Sequence, residues 1–197
     1  IQYKEFTMKR LLLSFVLFFV VLSTANAGTA GIFQLPFNPF QTWSACANTG
    51  YYPLNNGVTS LSSQYYMELN SGLTTPMYHM GEDWNGKCGV DTDIGGDLRA
   101  IADGQVENVN LDASNAKGKY IVIRYALPDG KQIYSWYLHC DSILVSVGNT
   151  VTAGQKIATI GRTGLTSTEY AHLHWEIHKD ASLAINSYQQ PLTVSTA

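Results

Sequence analysis

The stretch AHLHWEIH, Ala171 to His178, alternates polar and apolar side chains with almost no error. His172, His174, Glu176 and His178 fall on one parity, and Leu173, Trp175 and Ile177 on the other. Parity is face in a β-strand, whereas a helix would scatter the two sets around its axis. The segment therefore reads as a strand with a fully apolar face and a face of imidazoles and a carboxylate. The chain has five histidines, and three are here, so the polar face asks for a chemical reason.

Other segments read the same way. QVENVNL (105–111) follows Gly104. KYIVIRYA (119–126) and KQIYSWYLH (131–139) flank Leu127-Pro128-Asp129-Gly130, a hairpin signal. KIATIG (156–161) follows a glycine turn. Gly-Gln recurs at Gly104 and Gly154, a faint echo of internal duplication. No sustained helical period or heptad run is present. With 45% hydrophobic and 14% charged residues, the 197-residue chain suits one compact β-rich domain with an arm.

The first segment reads as a leader. Met8-Lys9-Arg10 precedes the apolar run Leu11 to Leu22, and Ala25-Asn26-Ala27 supplies an A-x-A site. This is the pattern of a secretory signal peptide, Met8–Ala27, cut after Ala27. Its apolar run falls short of the roughly 20 residues a spanning helix needs, so no membrane span is expected in the mature form. A retained anchor is the competing reading. Residues 1–7 are treated as upstream sequence. A secreted or periplasmic location follows as an expectation. The arm covers residues 28–73, the main domain 74–180 and a tail 181–197.

Formal net charge is −3, and residues 1–27 carry three of the twelve Lys and Arg, so the remainder is more acidic still. With no basic patch, nucleic acid is excluded as a partner. The cysteines are Cys46, Cys88 and Cys140. Export permits disulfides. A Cys46–Cys88 pair is favoured, because Cys140 follows His139 in a strand and should point away from it. Three free, buried thiols are the alternative.

His172 and His174 lie two apart, so their Cα atoms stand roughly 6.6 Å apart on one face of a strand and both rings can reach one small volume. His178, a further four residues on and about 13 Å from His174 by strand rise, reads as a surface histidine. YHMGEDWNG supplies His79 and Asp83, with Gly81 between them for close backbone approach. His79, Asp83 and one of the two late histidines form a three-ligand N/O set, the form of a catalytic zinc site. Each piece alone is weak: an H-x-H in a strand is often surface decoration, and His139 in SWYLHC also reads as one member of an aromatic cluster. Four histidines in separate β-type segments carry more weight together.

With those residues quoted, the chain resembles the lysostaphin-type (LytM-like) zinc metalloendopeptidases, peptidoglycan hydrolases with the duplicated hybrid motif fold. HMGED at 79–83, AIADGQV at 100–106, YLH at 137–139, GNTVTAGQKIATIGRTG at 148–164 and HLHWE at 172–176 match that family's motifs in order. The resemblance implies a mainly β fold, an antiparallel β-sheet or barrel-sandwich with groove-lining loops. It implies that His79, Asp83 and His174 bind one Zn2+, that His172 is general base or acid, and that His139 assists it. It implies a secreted endopeptidase that cleaves peptide bonds in bacterial peptidoglycan stems or cross-bridges with a zinc-activated water. Glu176 would fix a ligand ring from outside the metal, or be an ordinary surface carboxylate. Tyr78, Trp84 and Tyr170 would line the groove, or pack inside.

The chain departs from that family between Asp83 and Ala100, where WNGKCGVDTDIGGDLR intervenes. Asp91 and Asp93 there form a D-x-D pair, read either as a cation site or as a solvated loop. Two other classes compete. A non-catalytic regulator or binding module of other wall hydrolases would lack ligands that this chain keeps. A sugar-phosphotransfer carrier of related fold works in the cytoplasm, against the leader. The arm is also a candidate to cover the groove, with Asn48, Asn55 or Asn56 as a fourth ligand.

Overall fold

A computed structural model of the chain describes residues 33–37, 51–53, 69–70, 77–86, 90–179 and 188–189. The leader, Cys46, Cys88 and the three arm asparagines lie outside the described residues, and so does the expected Cys46–Cys88 pair. Twelve strands are present among the described residues: β1 (Tyr51–Pro53), β2 (Leu69–Asn70), β3 (Met77–His79), β4 (Glu82–Gly86), β5 (Asp97–Arg99), β6 (Gly104–Asn110), β7 (Lys119–Ala126), β8 (Gln132–Cys140), β9 (Thr150–Val151), β10 (Lys156–Thr159), β11 (Leu173–His178) and β12 (Tyr188–Gln189). One 3₁₀ turn, Val90–Asp93, interrupts them. The expected mainly β architecture is present, with antiparallel sheets that do not close into a barrel.

Seven strands form the main sheet in the order β1-β4-β11-β8-β7-β6-β9. The Pro-Asp-Gly hairpin joins β7 to β8 as its turn chemistry requires. β11, the alternating strand, lies between β4 and β8, so every polar side chain on it has neighbours on both sides. β5 and β10 pair as a second layer, and β3 is flanked by β2 and β12. The stretch read as a C-terminal tail thus contributes β12 to the strand that carries His79.

The core lies between one face of the main sheet and the β5–β10 layer, where Leu98, Ile121, Ile123, Ile157, Ile160 and Leu173 are buried. Two tyrosines there keep their hydroxyls bonded, Tyr125 to Ser135 Oγ at 2.9 Å and Tyr137 to the Arg99 carbonyl at 3.0 Å, which removes the penalty of burying an unpaired O–H. The Gly-Gln echo also has a structural counterpart. Gly154 N donates to the Ala100 carbonyl and Ala100 N to the Gln155 carbonyl, so the two similar turns lie side by side.

The start of the arm belongs to this core. Gln34 N donates to the Ile101 carbonyl, Arg99 N donates to the Pro36 carbonyl, and Phe37 bridges to Leu98, so 33–37 adds an edge beside β5. Strand β11 is covered on both faces at its start: His174 and Glu176 are enclosed on the polar face and Leu173 on the apolar face, which ends in an Ile177 that is 44% exposed. The far end of the strand extends beyond the covering layer.

Candidate metal centre

His174 and Asp83 are directly opposed across the β11–β4 ladder, so their side chains share a face at the shortest cross-strand spacing. His79 ends β3 and reaches them across Gly81. A Cβ on Gly81 would fall 2.5 Å from His174 Nε2 and 2.8 Å from Glu176 Cγ, so only glycine lets the imidazole lie over that backbone. The three ligand atoms form a near-regular triangle. His79 Nε2 is 2.9 Å from His174 Nδ1, His174 Nδ1 is 2.9 Å from Asp83 Oδ1, and Asp83 Oδ1 is 3.3 Å from His79 Nε2.

This triangle fits a zinc ion. Tetrahedral ligands at about 2.0–2.1 Å stand about 3.3 Å apart, close to all three edges. Lone-pair atoms this close repel unless a proton or a metal cation is shared between them. Burial alone would lower the His174 pKa, but the bonds to Asp83 and Glu176 outweigh it and push it up to about 9. Burial likewise opposes ionisation of Asp83, yet His172, His174 and His79 hold its carboxyl well below the ordinary carboxylate range. Among the described residues these three are the group able to hold a metal ion.

Glu176 lies one strand pair further along the same face and is buried. Its Oε1 is 2.6 Å from His174 Nε2, so the carboxylate accepts that N–H and leaves Nδ1 to the other ligands. The reading of Glu176 as a partner to a ligand ring fits, and the surface reading does not. Burial would raise its pKa, but the bonds to His174 and His178 hold it down to about 2. His178 is not the free surface histidine expected from strand rise. Its Nε2 contacts Glu176 Oε2 and its ring meets Trp136 edge-on at 5.9 Å. It is too far to share the metal volume itself, and Glu176 bridges the gap.

His172 and His139 are both buried beside the triangle, their ring centroids 4.9 Å apart. His172 Nε2 is 3.5 Å from Asp83 Oδ1. Each ring is held by a backbone carbonyl: His172 Nδ1 lies 2.9 Å from Tyr170 O, and His139 Nδ1 lies 2.9 Å from Thr163 O. A carbonyl oxygen only accepts, so in both rings Nδ1 carries a proton and Nε2 is the nitrogen left for other partners. Burial, then the neighbouring His172 and His174, place the His139 pKa well below its ordinary value, so it is a neutral imidazole near pH 7.

His139 reaches this face through a bulge. The β7–β8 register shifts between Lys119 and Ile121, and His139 has φ of +61°. Strict alternation would put Cys140, not His139, beside Leu138 and Trp136. The extra residue turns His139 toward the site and sends Cys140 into the core, where burial pushes its thiol up to about 12. Cys140 therefore points away from His139, as expected, but by a bulge rather than by plain alternation.

The remaining candidates separate. Trp84 follows Asp83 in a strand, so it faces the core and packs on Phe37 at 4.8 Å between centroids, away from the metal centre. Tyr170 is half-buried and supplies its carbonyl to His172. Tyr78 pairs with Leu69 and Gln189 through its backbone, and its side chain lies outside the description. Asp91 and Asp93 do not form a cation pair. Asp91 binds Arg162 and the Ala171 amide, and Asp93 is buried against Gly86 N. Asp91 was read as half of a cation pair rather than as the acceptor of the Ala171 amide, and Arg162 and Thr163 were quoted within a motif without a role, because their contacts are long-range and leave no local spacing signal.

Comparisons with known proteins show the family to which the chain is similar. The family model described as "Peptidase family M23" matches residues 78–187. A Haemophilus influenzae protein named "Uncharacterized metalloprotease" is 38% identical over 108 residues, 54% of this chain and 20% of that one. The "Peptidoglycan DD-endopeptidase ShyB" of Vibrio cholerae is 30% identical over 64% of this chain and 26% of its own length. The "Murein hydrolase activator NlpD" of Escherichia coli is 37% identical over 49% of this chain and 24% of its own. The chain thus spans about a quarter or less of these relatives. The catalytic domain of lysostaphin from Staphylococcus simulans aligns over 66% of this chain and 89% of that domain, at 26% identity and a TM-score of 0.48. With the family model covering more than half of its residues, the chain belongs to peptidase family M23.

Proposed function

We propose that this protein is a secreted or periplasmic zinc endopeptidase that cleaves peptide bonds in bacterial peptidoglycan stems or cross-bridges. The observation that carries the proposal is the His79–Asp83–His174 triangle with two Nδ1-anchored imidazoles beside it. The relative named as a peptidoglycan endopeptidase supports the substrate class, and the leader pattern supports the location.

Zinc held there would acidify a water and polarise the scissile carbonyl. His172, anchored through Nδ1 and with Nε2 3.5 Å from Asp83, would take a proton as general base and return it to the leaving amine. His139, neutral and with a free Nε2, orients the attacking water by accepting a hydrogen bond. Glu176 keeps His174 in the tautomer that ligates through Nδ1. Among the described residues no glutamate stands in the position of a general base, so the imidazole pair is the proton-handling machinery of the site.

A non-catalytic activator is the second reading, and the similarity to NlpD favours considering it. The complete ligand set favours the enzyme. Purified protein should bind about one zinc and release soluble peptides from cell wall of known cross-bridge. His174→Ala should lose the metal, and His172→Ala should keep it and lose turnover. A zinc-loaded protein that leaves every wall type intact, yet stimulates a second hydrolase, would establish the activator instead.

A further inference from the structure

The segment between Asp83 and Ala100 that departs from the family pattern touches the machinery at one place. Asp91 Oδ1 accepts the Ala171 amide at 2.8 Å. His172 Nδ1–H donates to the Tyr170 carbonyl at 2.9 Å. That amide and that carbonyl belong to one peptide group, the Tyr170–Ala171 unit. A continuous chain of hydrogen bonds therefore runs from the Asp91 carboxylate, through a planar peptide, to the ring of His172. We propose that Asp91 is a positioning residue for His172, acting through the Tyr170–Ala171 peptide.

Three further observations point the same way. Asp91 Oδ2 is fixed by Arg162 Nη1 at 3.0 Å, and Arg162 Nη2 bonds the Ser167 carbonyl at 2.8 Å. The same ion pair thus anchors both ends of the loop that delivers His172. Glu169 closes that loop on itself by accepting from Thr166 N and Thr166 Oγ1, each at 2.8 Å. The third observation is strain. Val90, immediately before Asp91, has φ of +44°. A β-branched residue there is an outlier, and Val90 is 47% exposed, so burial of its own side chain does not maintain the conformation. The turn serves the placement of its neighbour.

The physical effect is orientational. A carboxylate accepting from the amide polarises the peptide and strengthens its carbonyl as an acceptor. That fixes the peptide plane and keeps the His172 proton on Nδ1, with Nε2 turned to the reacting atoms. The Asp91 side chain is about a third exposed, so its ion pair with Arg162 is screened and its role is geometry rather than stability. A misplacement of about 1 Å at such a site costs on the order of 10²-fold in rate.

The inference rests on the endopeptidase reading for its catalytic consequence but not for its structural one, so two readouts are needed. The first is the His172 tautomer, from long-range 1H–15N correlations of zinc-loaded protein. The second is kcat and KM on cell-wall peptides, with zinc content measured alongside. Wild type should show a single Nδ1–H tautomer for His172. Asp91→Ala should mix in the Nε2–H form and lower kcat about 10- to 100-fold at unchanged KM and unchanged zinc. Asp91→Asn keeps an acceptor for the Ala171 amide and should fall between the two; it is the variant scored if Asp91→Ala does not fold. An unchanged tautomer in the scored variant overturns the proposal whatever the rate does. So does a wild-type rate with an altered tautomer. If wild type cleaves no wall peptide, the endopeptidase reading fails alone and the tautomer decides this one.

Discussion

Glu176 Oε1 and His174 Nε2 stand 2.6 Å apart, both buried, two residues apart on one face of β11. The carboxylate thereby selects which nitrogen of His174 would meet a metal held by His79 and Asp83. Outer partners of this kind are worth 10- to 100-fold in metal affinity. Glu176→Gln should therefore weaken zinc binding by about that factor, because the amide can present a donor to the wrong nitrogen. Competition with a chromophoric chelator measures it. Unchanged affinity would show that His79 and Asp83 alone orient the ring.

Asp93 gives the fold a pH dependence separate from the metal centre. Its side chain is buried in the 3₁₀ turn, with Gly86 N donating to Oδ2 at 3.0 Å and Oδ1 unpartnered. Burial outweighs the backbone bonds and raises its pKa from 3.8 to about 7. A raised carboxyl favours folding while it holds its proton. That stability is complete below about pH 3.8 and is lost as pH rises through about 7. The upper bound is roughly 4 kcal/mol, at 1.36 kcal/mol per unit. Asp93→Asn, neutral at every pH and still an acceptor for Gly86, should be less sensitive than wild type between pH 5 and 8. Thermal melts of the two proteins across that range test it, and parallel curves would exclude Asp93 as the source.

Phe37 tests where the folding unit begins. It is 3% exposed, bridges Leu98 and packs on Trp84, though it lies far upstream of the residues that carry the motifs. Truncating a buried phenylalanine costs about 3–5 kcal/mol. Phe37→Ala should lose that much in urea unfolding, and Phe37→Leu clearly less. A loss below about 1 kcal/mol would mean that the 33–37 edge is dispensable to the core.

The grouping of His79, Asp83 and His174 and the β-type segments that carry them were legible because both depend on parity and on short-range spacing. His174 and Asp83 need only a strand each, and Gly81 marks where an imidazole crosses the backbone. What stayed hidden depends on departures from regular geometry or on long-range contact. The inward turn of His139 needs a bulge, which a pattern of alternation cannot show. Trp84 was ambiguous between groove and core until its neighbour Asp83 was placed against His79 and His174. His178 looked isolated because strand rise measures distance to the metal and not to Glu176 between them. Phe37 pairs with Leu98 across sixty residues of chain, beyond the reach of any local signal.

The bulge at His139 makes the last prediction. A non-glycine residue at φ +61° carries a steric penalty of about 1–2 kcal/mol that glycine does not. The histidine side chain also bonds Thr163 O, so His139→Gly by itself mixes relief of strain with loss of a hydrogen bond. Comparing His139→Gly with His139→Ala separates them, because both lose the imidazole and only alanine keeps a Cβ. Glycine should be the more stable of the two by about 1 kcal/mol, the reverse of the usual order for regular structure. Both should lose wall-peptide turnover by about 10²- to 10⁴-fold if the imidazole assists proton transfer. Chemical unfolding of the pair, with turnover measured on the same preparations, gives both numbers. An alanine variant as stable as the glycine variant would mean that the chain relaxes out of the left-handed conformation once the ring is gone, so that the imidazole's own contacts, and not the surrounding sheet, hold the bulge.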